Sequence, residues 1–228
     1  MPSIIHIETA TEACSCALSS DGKVLLNKEN RKGQSHAMSL GVFVEEIMQF
    51  IRDNRMKIDA VSVSSGPGSY TGLRIGVSEA KGLSYGLDIP LIAIPTHKIM
   101  AWMMKDKVES GSLLCPMIDA RRMEVYITIF DTDLNIIRAT SADIVNEGSY
   151  AGLLEKQKIT FFGNGAEKCK KTITHPNAFF VSGVKPQASA MVALAENAFS
   201  GGDFVDSAYF EPFYLKEFVA TVPKNKIL

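Results

Sequence analysis

Two carboxylates and two glycine-rich turns are the residues with the most chemistry to offer. Glu8 closes the apolar run SIIHIET at 3–9, and Asp119 closes a second run, LCPMID at 114–119. Acidic side chains at two strand ends that share a cleft can hold Mg²⁺, often through water, while the metal bridges phosphates. The competing use is structural, with Glu8 capping its own loop and Asp119 pairing with Arg121 or Arg122, and this reading is favoured. The stretch VSVSSGPGSYTGLRIG contains the first turn, Gly66-Pro67-Gly68, and GNGA at 163–166 contains the second, with Gly163 and Gly165. A turn of this kind opening a helix can cradle an anion with its free N–H groups and the helix dipole. No GxxxxGK[ST] loop occurs, and no lysine follows the first turn. Glu8, Thr9, Gly66, Gly68, Thr71, Arg74, Asp119, Gly163 and Gly165 are therefore the candidate nucleotide or anion contacts.

Metal and nucleophile chemistry find less support. A helical metal pair needs histidines at i and i+4, so that both rings leave one face. His97 is followed at that spacing by Ala101 and His36 by Leu40, so these histidines, like His6 and His175, read as satisfied core or surface side chains. No GxSxG turn is present, and no cysteine has a neighbouring histidine; both would mark an activated nucleophile. No catalytic residue and no metal ligand set is expected. Cys14, Cys16, Cys115 and Cys169 read as buried free thiols, because a lone C-x-C lacks paired zinc spacing and no secretion signal accompanies it.

The elements that would position these residues follow from periodicity. Residues 3–9, 13–19 and 23–30 read as three strands, the last two joined by the hairpin turn Ser20-Asp21-Gly22. Residues 33–35 are a loop with a helix cap, and residues 36–55 have helical spacing through Met38, Val42, Ile47 and Ile51. A strand at 59–65, a helix at 71–87 capped by Ser69 or Thr71, a strand at 90–94 and a helix from 95 to 107 complete the first half. After a polar link at 109–112 the pattern restarts. Strands are predicted at 114–119, 123–131 and 135–141, a helix at 149–157, a strand at 159–163 and a helix at 164–172. Residues 4–19 superpose without gaps on 115–130, which lays Glu8 on Asp119. An apolar helix at 188–199 closes the body, and the aromatic run Tyr209, Phe210, Phe213, Tyr214 and Phe218 packs back on it. The reading is an α/β fold of two tandem βββαβα-type units, the actin-like ATPase (ASKHA, ribonuclease H-like) architecture, with subdomains at 1–108 and 109–228.

Composition bounds the rest. The chain has 228 residues, 46% of them hydrophobic, enough for a substantial core, and a net charge of −1. No overall positive field favours nonspecific nucleic-acid binding, so any RNA role needs a local patch or a partner. No apolar run approaches the length of a membrane span, and cytoplasmic residence is expected.

The block SGPGSYTGLRIGVSEAKGL, with the ETATEACS opening, the DAR-MEVY segment and PFYLK near the end, closely resembles the bacterial TsaB (YeaZ) family. The resemblance implies the non-catalytic partner in threonylcarbamoyl-adenosine modification of tRNA. In that system a catalytic paralogue, TsaD, binds metal and substrate and transfers the threonylcarbamoyl group to N6 of adenosine 37 in tRNAs reading codons that begin with A. An ATPase, TsaE, completes the set. ATP, ADP and metal are thus expected in the partner subunits, with no cofactor in this chain, and tRNA is met through the complex. The chain departs from the family's usual IDT by carrying Glu8 in IET, and the histidine pair of the catalytic relatives is absent from PTHKIMAWMM. The small-residue face of the helix at 71–87, with the helix at 36–55, is expected to form the pairing surface through Gly72, Gly76, Lys81, Met38, Val42 and Glu45. Bulk at Gly72 or Gly76 is expected to weaken pairing while the fold survives, and the same face could pair two copies of this chain. The remaining classes are an actin-like small-molecule kinase and a metal-dependent (glyco)peptidase. The first wants an Asp at position 8 and the second an i, i+4 histidine pair.

Overall fold

A computed structural model describes residues 2–30 and 36–216; the expected loop at 33–35 and Phe218 lie outside them. Strands β1 (Ser3–Glu8), β2 (Cys14–Ser20) and β3 (Lys23–Asn30) form an antiparallel meander. Helix α1 (His36–Asp53) leads to β4 (Ala60–Ser64), α2 (Tyr70–Leu87) and β5 (Leu91–Ile94). Because β4 lies parallel to β1 and β5 parallel to β4, the sheet order is β3-β2-β1-β4-β5. β1 is central, and its residues alternate between two cores. Ile5 and Ile7 face Leu40, Val44, Ile47 and Val77 of α1 and α2. Ile4 faces Ile99 of α3 (Thr96–Met104) and Met191 and Leu194 from near the C-terminus.

The second half repeats the plan. β6 (Leu113–Asp119), β7 (Glu124–Phe130) and β8 (Ile136–Ile144) form the meander, and α4 (Ala151–Leu154), β9 (Ile159–Phe162), α5 (Ala166–Cys169) and β10 (Ala178–Val181) follow. The order β10-β9-β6-β7-β8 is the first sheet's order in matching positions. This is the actin-like, ASKHA-type arrangement expected from the sequence. The gapless superposition needs one correction. Glu8 pairs with Ser15, whereas Asp119 pairs with Val125, one residue earlier than a gapless repeat requires. The second turn is tighter, with Arg121 and Arg122 both at positive φ (71° and 49°).

α3 lies between the sheets. Ile99 packs with the first, while Met100, Ala101 and Met104 pack with Leu114, Ile118, Phe130 and Phe162 of the second. The boundary at 108/109 separates the sheets but not the packing units. A 3-10 turn (Ala188–Met191) and α6 (Val192–Gly201) return to the first sheet through Met191, Leu194 and Ala195. Val205 then bridges Leu91, so residues 188–205 complete the first half. The two long helices keep their expected places, whereas the helices expected at 149–157 and 164–172 shrink to one turn each; β10 was not foreseen. No helix among the described residues is long and apolar enough to cross a membrane.

Candidate functional site

The loop after β1 is the meeting point of the two halves. Its residues touch the Gly66–Gly68 turn on one side and the Gly163–Gly165 turn on the other. Glycines make the close packing at both turns possible. A Cβ on Gly68 would stand 2.8 Å from the Ala10 Cβ, and one on Gly165 would stand 2.9 Å from the Ile118 carbonyl carbon. Asn164 joins the halves, donating through Nδ2 to Glu12 Oε2 (3.0 Å) and accepting at Oδ1 from the Asp119 N–H (3.0 Å).

The amides that could receive an anion are turned inward. Gly66 N–H donates to Thr96 Oγ1 (3.1 Å), Ser69 N–H to Ala10 O (2.7 Å), and Gly72 N–H to the N-cap hydroxyl of Ser69 (3.3 Å). In the second turn Gly165 N–H donates to Met117 O (3.0 Å). Phe213 O lies 2.6 Å from where a Gly66 Cβ would stand, and Phe213 N–H donates to Ser65 O (2.7 Å), so the C-terminal segment covers the first turn. These four amides are therefore satisfied within the chain.

The carboxylates are also committed. Glu8 is fully buried and accepts the Ala10 N–H at Oε1 (2.6 Å), the loop-capping role. Burial pushes its pKa up to about 7, against the Ala10 N–H and the neighbouring Ser64 hydroxyl, which pull it down. Asp119 is exposed, and its partner differs from the expected arginines. Its Oδ1 accepts the backbone N–H of Arg121 (2.9 Å) and the Lys168 ammonium. Glu12, missed in the sequence, accepts Lys185 Nζ at 2.9 Å. Partial burial raises the Glu12 carboxyl, but Lys185 and Asn164 outweigh it and hold the pKa below the usual value. Its signal was its place four residues after Glu8 on the same loop. Thr71 and Arg74 are exposed on the first turn of α2. Arg74 stands 5.2 Å from the centre of the Tyr70 ring and donates to its hydroxyl (3.1 Å). Tyr70 in turn lies 4.8 Å from Tyr214. Among the described residues no group of three or more His, Cys, Asp and Glu side chains could hold a metal ion.

The histidines are held by polar neighbours. His6 bonds Ser62 and Ser19 at 2.7 Å each, His97 bonds Thr128 at 2.8 Å, and His36 donates to Thr11 O at 2.7 Å. Burial lowers the pKa of both His6 and His97 to about 3. The four cysteines are free and buried, and burial pushes the Cys14 thiol up to about 11.

The expected pairing residues separate into two groups. Met38 and Val42 stand exposed at 71% and 56%, with Glu45 beside them and 3.2 Å from Arg52. Gly72 and Gly76 do not. A Cβ on Gly72 would collide with Thr9 O, and one on Gly76 with Thr9 Oγ1, which itself donates to Gly72 O (2.8 Å). Their small size serves the loop after β1, not an outer surface. Lys81 is likewise engaged, donating to Ala208 O and Phe210 O at 3.1 Å each. On α1 and α2 the glycines with open space are Gly41, Gly82 and Gly86, and beside the last two Tyr85 is 87% exposed. Gly72 and Gly76 lie among the buried residues of α2 with Leu73, Val77 and Ala80.

A family profile described as TsaD, tRNA N6-adenosine threonylcarbamoyltransferase, matches residues 28–227. The Escherichia coli tRNA threonylcarbamoyladenosine biosynthesis protein TsaB is 32% identical over 229 residues, covering 95% of this chain and 96% of its own. The Bacillus subtilis protein of the same description is 29% identical over 56% of this chain and 54% of its own. Among solved structures, a Pseudomonas aeruginosa protein described as similar to the peptidase YeaZ superposes with a TM-score of 0.81 at 23% identity. It covers 95% of this chain and all of that one, a likeness of fold.

Proposed function

Since the chain belongs to the TsaB family of tRNA threonylcarbamoyladenosine biosynthesis proteins, we propose that it is the non-catalytic subunit supporting threonylcarbamoyl transfer to N6 of adenosine 37 in tRNAs reading codons that begin with A. The observation that carries the non-catalytic part is the use of the strand-end carboxylates. Glu8 caps its own loop, Asp119 pairs with Lys168 and Glu12 pairs with Lys185. Asp119 and Glu12 are paired with ammonium groups inside the chain, Glu8 caps its loop through Oε1 while its Oε2 stays buried without a hydrogen bond, and amides of both glycine turns donate inward. These features support a scaffold over a kinase that needs a metal-bridged phosphate. The descriptions of the curated relatives speak for the tRNA role.

The partner in this reading is a TsaD-type catalytic subunit, with a TsaE-type ATPase completing the set and with residence in the cytoplasm. The outer faces of α1 and α2 are the pairing surface we favour, reached through Met38, Val42 and Glu45 and extended by Gly82, Tyr85 and Gly86. The same surface would serve a homodimer when the partner is absent. The deciding experiment is depletion of this protein followed by mass spectrometry of bulk tRNA. Threonylcarbamoyl-adenosine is expected to fall and to return on expression of the intact gene. Unchanged modification after depletion would refute the reading.

A further inference from the structure

The turn between β6 and β7 carries charge that the described residues do not neutralise. Around it each carboxylate already has an ammonium partner: Asp119 has Lys168, Glu124 has Lys216, and Glu12 has Lys185 across the Asn164 link. What remains is Arg121 and Arg122, adjacent, exposed, and without a guanidinium hydrogen bond or ion pair among the described residues. A chain of net charge −1 thus gathers surplus positive charge at one place. The turn beneath is fastened. Arg121 N–H donates to Asp119 Oδ1 (2.9 Å), Glu124 N–H to Arg121 O (3.1 Å), and Lys168 Nζ to Arg122 O (2.6 Å) and Glu124 O (2.7 Å). Two guanidinium groups are therefore presented on a braced backbone, which lowers the ordering cost of an incoming anion.

We propose that Arg121 and Arg122 form a contact site for the phosphodiester backbone of the tRNA, an inference that rests on the function proposed above. Guanidinium forks match phosphate oxygens and are weakly hydrated, so they suit such contacts. The neighbouring Gly163–Gly165 turn has its backbone packed on Met117 and Ile118, so an anion meets exposed side chains rather than a sunken amide cradle. That geometry fits a polyanion lying over the surface better than a nucleotide held in a pocket.

The test uses the complex of the full chain with its catalytic partner, and an unmodified tRNA transcript reading an A-initial codon as probe. Arg121→Ala/Arg122→Ala is expected to weaken binding on the order of tenfold at moderate salt and to lower the slope of log affinity against log salt by about 2. Arg121→Lys/Arg122→Lys should recover much of the slope. Wild-type affinity and slope in the alanine variant would overturn the site. So would loss of complex formation on a sizing column, which would assign the arginines to an acidic protein partner. Loss of ATP binding with tRNA binding intact would assign them to a nucleotide and overturn it too. The intact gene in the depletion strain separates the two readings: if it restores modification and the variant binds tRNA normally, only the arginine site fails.

Discussion

At the residue scale, Glu8 shows how a position suited to metal chemistry can become structural. The longer side chain folds back on Ala10 N–H and is sealed from solvent, so its carboxyl titrates near 7 rather than 4.5. The linkage follows directly. Between pH 4.5 and 7 the unfolded chain has released this proton while the folded chain retains it, so the contribution of Glu8 to stability falls as pH rises and levels off above about 7. The full change is roughly 3 kcal/mol. His6 and His97, held near 3, act in the opposite sense: below 6.5 only the unfolded chain takes up their protons. Glu8→Gln keeps an acceptor for Ala10 N–H and removes the titration. The variant's stability relative to the parent should therefore grow between pH 5 and pH 8, as read by urea unfolding at both. An equal difference at the two pH values would contradict the assignment.

At the element scale, α2 carries glycines for two different reasons. Gly72 and Gly76 let the helix approach the loop after β1, where Thr9 leaves no room for a methyl group. Gly82 and Gly86 face open space. Gly72→Ala is expected to cost about 1–3 kcal/mol through overpacking against fixed backbone. Gly82→Ala is expected to gain up to about 1 kcal/mol by raising helix propensity. Thermal melts of the two variants separate the cases. Pairing should respond to the outer face instead: Val42→Glu is expected to abolish co-purification with the catalytic partner while leaving the melting temperature unchanged. The strand, turn and helix at 60–87 were legible because alternation, a Gly-Pro-Gly break and a 3.6-residue apolar stripe follow one another. Which glycines face a neighbour was not separated by spacing alone, because a close-packed face and an exposed small-residue face use the same residues.

At the scale of the molecule, the first sheet is finished by the end of the chain. Met191, Leu194 and Ala195 cover the side of the sheet that carries Ile4 and Ala60, Val205 bridges Leu91, and Lys81 holds the carbonyls of Ala208 and Phe210. Residues 1–108 alone would leave that apolar face covered only by α3. Expressed alone, they are expected to be insoluble or to lack cooperative unfolding, and joining residues 186–216 to them through a flexible linker should restore a cooperative transition by circular dichroism. A soluble, cooperatively folding 1–108 fragment would show that the C-terminal helix is dispensable.

The amino-acid sequence by itself determined the order of the strands through β9 and of the long helices, the tandem repeat, the burial of the thiols and the family, because these rest on local periodicity, turn chemistry and a long contiguous motif. Tertiary structure alone decided that Asp119 pairs with Lys168 instead of an adjacent arginine, that the C-terminal helix returns to the first sheet, and that Gly72 and Gly76 point inward. Each of these depends on which distant backbone arrives beside a residue, and a pattern read along one chain carries no distance between its parts. The two arginines were first weighed as partners for Asp119. Once Lys168 takes that place, they stand exposed on the turn between β6 and β7, without an ion pair among the described residues.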